Sequence, residues 1–285
     1  MNMWIGRPGA LREITDGASS FDRSPDLGVV EFRSLEGGVT TWAPPVRPRR
    51  LKVAWEAMQP ADVQHLDRLA RRVDQLGPVA VVDPLAGNLL GGGQAAGLGD
   101  PSRWAVTRLS GYEDIVFYGG GSGAYVPNSV GVEYIPPGGG GPDLYWQHPN
   151  WAGYPVTPGM VVTWWTPGLL TSGAALSQLR IEWYRTDGGL ISTDTTTTPG
   201  TPMVRTVPSG AAYARPAVRF AAEGVWLLGE SILALGDVSA ALLAGARPIG
   251  EGTPAYSITR YSHVASEGDG AHRDIGLELV EVTAP

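Results

Sequence analysis

The sequence predicts a mainly β protein with one main helix and a β-sandwich inserted into the middle of the chain. Two patterns favour this fold class. Residues 104–243 contain many short strand-like runs separated by Gly and Pro turns, whereas only residues 60–76 carry apolar side chains at helical spacing. The chain also closes with two strand-like runs, and a lone hairpin is marginal in water. The closing strands must therefore pair with an earlier part of the chain.

Length and composition limit the classes of function. The chain has 285 residues, and a domain usually has roughly 100 to 200 residues, which favours two domains. A net charge of -7 argues against nucleic-acid recognition, which needs clustered Lys and Arg. No stretch is apolar enough to cross a membrane, and residues 1–11 do not resemble a signal peptide, so we expect a soluble protein without classical secretion. The absence of Cys fits assembly in a reducing cytoplasm.

The first 97 residues show four readable elements. Residues 27–43 predict a hairpin that turns at Glu36-Gly-Gly38, and residues 51–57 alternate as a strand with one buried face. Residues 60–76 predict a helix that begins at Pro60 and ends at Gly77-Pro78. Residues 79–82 predict a short strand.

Glycine content suggests where the domains divide. Residues 87–99 include three consecutive glycines and are predicted to pack poorly, which places a boundary there. The closing strands are predicted at residues 256–261 and 275–282. The predicted organisation is a split domain of residues 1–97 and 251–285, with residues 98–250 as an inserted sandwich.

Two segments carry a resemblance to a known family. They are Val53-Ala-Trp-Glu-Ala57 with the helix and the run Gly77-Pro-Val-Ala-Val-Val-Asp-Pro-Leu-Ala-Gly-Asn-Leu-Leu90 that follow, and the closing runs 256–263 and 272–282. They resemble minor tail and distal-tail-like proteins of actinobacterial siphophages. The resemblance implies a virion protein of the phage tail tip or baseplate, assembled in the host cytoplasm. It also implies a homo-oligomeric ring, hexameric or trimeric, that contacts the tail tube, the tail hub and the tape measure region.

The inserted part resembles carbohydrate-binding modules of the family 4/22 type. The resemblance rests on Tyr154-Pro-Val-Thr-Pro-Gly159 before a strand, on Glu182-Trp-Tyr-Arg-Thr-Asp-Gly188, and on residues 211–220. It implies a jelly-roll, galactose-binding-like sandwich that contacts host-surface glycan or packs subunits together. The run at 229–243 departs from that pattern because it is rich in Ala and Leu, which leaves the last strand undefined.

Aromatic side chains are the candidates for binding a sugar ring. Tyr145, Trp146 and Trp151 lie in a Gly/Pro-rich stretch that predicts an exposed loop. Trp164 and Trp165 are adjacent in a strand, so one of them should be exposed, and we take Trp165 as that candidate. The alternative is that these residues pack in the rim of the sandwich or against other subunits. Trp183 alternates with Ile181 as a core residue.

The sequence contains no arrangement typical of catalysis, of a cofactor or of a metal. Glu182 and Asp187 lie on a strand and its turn, and Asp187-Gly188 is typical of a hairpin turn rather than of a paired carboxylate. The four histidines share no ligand spacing and are predicted at the surface or at an interface. We therefore expect a structural, non-enzymatic protein. The alternatives are a stand-alone glycan-binding protein and, less favoured, a glycan-active enzyme.

Overall fold

A computed structural model describes residues 3–25, 28–42, 48–74, 76–83, 87–108, 114–118, 128–138, 140–248, 250–266 and 271–282. The strands before residue 100 are β1 (Met3–Arg7), β2 (Ala10–Ile14), β3 (Ser20–Pro25), β4 (Val30–Arg33), β5 (Val39–Trp42), β6 (Arg49–Met58) and β7 (Val79–Val82). The strands of the middle region are β8 (Trp104–Thr107), β9 (Asp114–Tyr118), β10 (Ser129–Tyr134), β11 (Asp143–Trp146), β12 (Tyr154–Pro155), β13 (Val161–Trp165), β14 (Leu176–Tyr184), β15 (Leu190–Thr196), β16 (Met203–Thr206), β17 (Tyr213–Phe220), β18 (Gly224–Leu227) and β19 (Ile232–Leu235). The closing strands are β20 (Ala255–Ala265) and β21 (Arg273–Glu281), and the helices are α1 (Pro60–Ala70), α2 (Gly92–Ala95), α3 (Pro167–Thr171) and α4 (Ser239–Leu243).

Strands from both ends of the chain form one seven-stranded antiparallel sheet. Its order is β2-β1-β7-β20-β21-β6-β3, so the closing hairpin lies between β7 and β6. Buried Leu277 and Leu279 of β21 share a core with Trp55 of β6 and with Leu66 and Leu69 of α1. The helix therefore covers one face of the sheet, and the closing strands complete it.

Helix α1 is shorter than its sequence pattern predicts. It ends at Ala70 instead of Leu76, because the chain turns at Arg72, whose φ of 54° is left-handed. The amide of Arg72 donates to the carbonyl of Leu69 and that of Val73 to the carbonyl of Arg68, the two bonds of a Schellman closure. Val73 and Leu76 are consequently exposed. The predicted stop signal at Gly77-Pro78 therefore lies beyond the helix, which has already ended at Ala70.

The middle region is a β-sandwich, which confirms the predicted fold class. One sheet has the path β15-β14-β17-β11-β8 with β12 paired to β17, and the facing sheet has the order β16-β13-β19. Trp146 of one sheet meets Trp164 of the other edge-to-face, with 4.9 Å between ring centroids. Trp183 is fully buried, as its alternation predicts. The stretch 229–243 does contain a last strand, β19, and then the short helix α4.

The glycine-rich segment 87–99 is not the poorly packed linker that its composition predicts. Leu89 and Leu90 are fully buried, and residues 92–95 form α2. The buried side chain of Asn88 donates to the carbonyl of Ser231 and accepts from the amides of Leu90 and Leu233. Its backbone carbonyl accepts from the amide of Glu251. Asn88 therefore joins the outgoing segment, the sandwich and the returning segment at one point.

The seven-stranded sheet and the sandwich also pack against each other through apolar side chains. Leu11, Ala80 and Val82 of the seven-stranded sheet belong to the same buried cluster as the tryptophans of the sandwich. The division into residues 1–97 with 251–285 and residues 98–250 stays a prediction. No helix in the described ranges is both long and apolar enough to cross a membrane.

His148 lies at this junction and is buried, contrary to the prediction of a surface or interface imidazole. Its Nε2 bonds the carbonyl of Thr253, and its Nδ1 accepts from the amide of Asn150. Burial lowers the pKa of His148 from 6.5 to about 4, and the nearby charge of Arg103 acts in the same direction. The imidazole is therefore neutral in the folded protein at pH 7.

We predict that this histidine makes the protein less stable as the pH falls from about 6.5 to about 4. The unfolded chain takes up a proton in this range while the folded chain does not, so protonation favours unfolding. The expected decrease in the free energy of unfolding that this group causes between pH 7 and pH 5 is about 2 kcal/mol. Urea unfolding at a series of pH values measures it. His148→Gln should flatten the slope, whereas His263→Gln, which changes an exposed histidine, should leave it unchanged. Equal slopes in all three proteins would contradict the prediction.

Candidate functional site

Two of the predicted sugar-binding aromatics lie in a strand and not in an exposed loop. Tyr145 and Trp146 belong to β11, which pairs with β8 and β17 inside the sheet. Both are buried, and Trp146 is 0% exposed. Adjacent strand residues point to opposite faces, so Trp146 enters the core while Tyr145 faces outward. The prediction of exposed rings is wrong because the Gly/Pro-rich flanks indicate a loop, whereas residues 143–146 between them form a short strand.

The other two candidates are also covered. Trp165 is buried: its indole donates to the carbonyl of Pro199, and the Arg247 guanidinium lies 5.3 Å from its ring centroid. Because Trp164 is buried as well, the expectation that one of the pair is exposed is wrong. Trp151 is half-buried and stacks on His148. The four candidates do not form one exposed aromatic face.

A charged cluster occupies the outward face of the six-stranded sheet instead. Outward-facing residues of three neighbouring strands contribute, and the register places these residues side by side. Its members are Asp143, Tyr145, Arg180, Glu182, Tyr184, Arg215 and Arg219. The sequence signal was present in the alternation of Arg180, Glu182 and Tyr184, and of Arg215 and Arg219, but neighbouring strands are known only from the fold.

Asp143 is the first of two carboxylates around which the cluster is built. Its Oδ1 accepts from Nε of Arg219 at 2.7 Å, and its Oδ2 accepts from Nη2 of Arg219 at 2.9 Å. Arg180 also donates to Oδ2, and the hydroxyl oxygen of Tyr145 lies 3.3 Å from the same atom. The bond to Asp143 raises the pKa of Arg219. This carboxylate is almost fully buried and has a charged partner on each side.

Glu182 is the second carboxylate. Its Oε2 accepts from Nη2 of Arg215 at 2.6 Å and from the hydroxyl of Tyr184 at 2.5 Å, and its Oε1 accepts from the hydroxyl of Tyr145 at 3.0 Å. The guanidinium of Arg215 lies over both tyrosine rings, 4.4 and 4.8 Å from their centroids. The hydroxyl of Tyr145 joins the two carboxylates into one network.

The two phenols stay protonated at neutral pH and act as donors. Burial, and then the charges of Asp143 and Glu182, raise the pKa of Tyr145. Burial, and then the bond to Glu182, raise the pKa of Tyr184 to about 12. A glycoside hydrolase needs one carboxylate free to deliver a proton and one free to attack or to activate water. Here both carboxylates pair with arginines, which is the arrangement of a structural ion-pair network.

The histidines do not converge on a metal. His65 bonds the carbonyl of Ile5 at 2.9 Å across the core, and His148 is held at the junction. Within the described ranges, no group of three or more His, Asp or Glu side chains could hold a metal ion.

The predicted hairpin is the least covered part of the described structure. We call residues 28–42 the arm. Its two strands pair as predicted, with Val30 opposite Trp42 and Phe32 opposite Thr40. Val30, Phe32 and Trp42 lie on one face and are 46%, 58% and 56% exposed. A two-stranded hairpin with an uncovered apolar face is marginal in water, so the arm is a candidate interaction surface.

We predict that Glu182→Gln destabilises the fold strongly. The amide keeps the shape of the side chain but removes the charge that neutralises half-buried Arg215. Breaking a buried pair in this way costs about 3 kcal/mol. Thermal or urea unfolding measures it. The matched control is Glu278→Gln, whose partner Arg260 is 74% exposed at 3.7 Å, and it should change stability by about 0.5 kcal/mol or less. Equal effects of the two substitutions would show that the cluster is not stabilising.

Comparison with known proteins adds a distant similarity to solved structures. No protein-family model matches the chain, and no curated protein matches it. A solved structure described as "Structural basis for the promiscuous specificity of the carbohydrate-binding modules from the beta-sandwich super family" aligns with 82% of this chain and 90% of its own. The identity is 13% and the TM-score is 0.30. A similarity at this level carries no argument about this chain, whose fold is established by its own strand pairing.

Proposed function

We propose that this chain is a non-enzymatic structural subunit that assembles with copies of itself into a ring at the tip of a bacteriophage tail. The observation that supports self-assembly is the exposed apolar face of the arm. Its apolar face of Val30, Phe32 and Trp42 covers nothing in the described part of its own chain, and Leu35 at its tip is fully exposed. Burying each large apolar side chain contributes about 1.5 to 3 kcal/mol, which favours association.

The attribution to a phage tail rests on the resemblance of residues 53–90 and 256–282 to siphophage tail proteins. In this proposal the protein assembles in the host cytoplasm and ends in the virion beside the tube, hub and tape measure proteins. The pairing of Asp143 and Glu182 with arginines supports a non-enzymatic role, because it matches a structural ion-pair network.

The assembly is tested by light scattering and by electron microscopy of the purified protein. We expect particles larger than a monomer, with rings in the images. Replacing Phe32 and Trp42 together by Ser should weaken association at least about 100-fold, because two apolar anchors are lost. Replacing Glu31 and Thr41, on the opposite face of the arm, by Ser is the control and should leave assembly intact.

A wild-type protein that stays monomeric at high concentration would contradict the assembly. The phage attribution has its own test, which is mass spectrometry of purified virions produced from the genome that encodes this chain. We expect the chain at a fixed ratio to the tail tube protein. Its absence from virions would contradict the role in a phage tail but would not contradict the proposed self-assembly.

A second candidate function, glycan binding by the sandwich, is favoured by the charged cluster. Three arginines face two carboxylates there, and the side chains of Arg215 and Arg219 are 26% and 22% exposed. Guanidinium and tyrosine groups at a sheet surface suit hydroxyl-rich or acidic sugars. The protein would use this face on a host-surface glycan, either within the ring or as a stand-alone binder.

We predict weak binding that several copies strengthen by avidity. A glycan array probed with the assembled protein measures it. Arg219→Gln should lower the signal of any bound glycan, whereas Arg205→Gln, a change on the facing sheet, should not. An array without a signal would remove the glycan role and leave the cluster as a structural network.

A further inference from the structure

We propose that buried Arg7 is the anion-binding centre of a site for an acidic sugar. Arg7 ends strand β1 and is only 7% exposed. Its Nη1 donates to the carbonyl of Gly77 at 2.8 Å, and no carboxylate in the described ranges hydrogen-bonds to it. A buried guanidinium is normally paired with an acid, because it carries five N–H donors and a charge that is costly to bury. Arg7 therefore has donors left for a ligand.

The charges around Arg7 do not compensate it. Asp74 is an acid whose charge acts on Arg7, but both of its carboxylate oxygens already accept from Arg68. Arg72 adds a further positive charge to the same region. Burial, and then the charge of Arg72, lower the pKa of Arg7, as expected for a cation without a bonded acid. The chain as a whole has a net charge of -7, yet this region is positive and favours an anion.

Two adjoining cavities open beside Arg7. One has a volume of about 270 Å³ and the other a volume of about 150 Å³. Arg7, Pro8 and Thr186 line both of them, so the two cavities meet at this arginine. Trp151 and Tyr213 line the smaller one. A ligand that enters can therefore contact the guanidinium and an aromatic wall at the same time.

The smaller cavity has the chemistry of a sugar site. Trp151 is half-buried, and one face of its ring stacks on His148. Tyr213 is 9% exposed, and its hydroxyl has no hydrogen-bond partner among the described residues. Aromatic rings offer a flat surface to the C–H groups of a sugar, and a free phenol can bond a sugar hydroxyl. A small carboxylate alone would leave these groups unused, so we infer a sugar that carries one.

Contacts with the sandwich hold this site in place. Gly9 lies in the turn after Arg7, and its amide donates to the carbonyl of Val156 at 2.8 Å. Its carbonyl accepts from the hydroxyl of Thr157 at 3.1 Å. Gly9 has a φ of 82°, and a Cβ there would lie 3.0 Å from the Cβ of Ala212, so glycine allows this close approach. The turn is thus fixed before a ligand arrives, which lowers the cost of binding.

Saturation-transfer NMR and calorimetry with glucuronate and galacturonate test the site at constant ionic strength. We expect weak binding of these uronates, and no binding of glucose or galactose at the same concentration. Arg7→Met should weaken uronate binding at least about 30-fold, because it keeps the length of the side chain and removes the charge. Tyr213→Phe removes one hydroxyl and should weaken binding about fivefold.

A second variant covers the case in which the arginine is needed for folding. Arg7 also bonds Gly77, so circular dichroism and thermal unfolding check that Arg7→Met is folded. If it is not, Thr186→Glu takes its place, because it adds a negative charge at an exposed residue that lines both cavities. It should weaken uronate binding at least about tenfold. The matched control is Thr197→Glu, at an exposed residue outside both cavities, which should leave binding unchanged.

Acetate and inorganic phosphate identify the kind of anion that the site prefers. Uronate binding that exceeds that of both anions, and that is lost in the Arg7 or Thr186 variant, supports the site. Absence of uronate binding, uronate binding no tighter than that of acetate, tighter binding of phosphate, or unchanged binding by folded Arg7→Met would overturn it.

The inference does not depend on the proposed ring or on the charged cluster. Light scattering of the same samples measures self-assembly separately, so the two proposals can fail independently. Arg219→Gln should bind uronate as the wild type does, because Arg219 lines neither cavity. Loss of uronate binding in Arg219→Gln with full binding in Arg7→Met would place the sugar at the charged cluster and overturn the Arg7 site.

Discussion

The buried amide of Asn88 is the contact on which the arrangement of the whole chain depends. Two central strands of the seven-stranded sheet come from the last part of the sequence, so the chain must leave this sheet, build the sandwich and return to the same place. Asn88 bonds the outgoing segment, strand β19 and the returning segment together. The side-chain amide is satisfied only when Leu90, Ser231 and Leu233 are in place. The backbone carbonyl of Asn88 accepts from the amide of Glu251, so both crossings lie beside this one residue.

The charged cluster on the sandwich holds neighbouring strands together through ion pairs and hydrogen bonds between side chains. Two carboxylates, three arginines and two tyrosines share one sheet face, and each carboxylate oxygen already has a donor. Such a network gives the sheet a defined register at a cost in desolvation. Arg215 and Arg219, whose side chains are 26% and 22% exposed, are the most exposed arginines of the cluster, and Arg180 is 13% exposed.

The sequence was informative where one local pattern decides the structure. Alternation identified β6 and the buried side of Trp183, and the glycines after Glu36 identified the arm. It was misleading where distant segments decide. The exposure of Trp146 depends on β8 and β17, which are far apart in sequence. Segment 87–99 has a loop composition, yet Leu89 and Leu90 are fully buried where the seven-stranded sheet meets the sandwich. Helix α1 ended early at Arg72, a residue without a strong preference for the left-handed conformation.

The central position of the closing hairpin has a consequence for synthesis of the chain. Strand β7 leaves the ribosome at residue 82, but its neighbour β20 begins only at residue 255. At usual elongation rates this gap takes roughly 10 to 35 s. The strands of the sandwich are all complete by residue 235, so they can pair while β6 and β7 wait without their central neighbours. During that interval the apolar face of α1 lacks the closing strands that share its core, so this core is completed last.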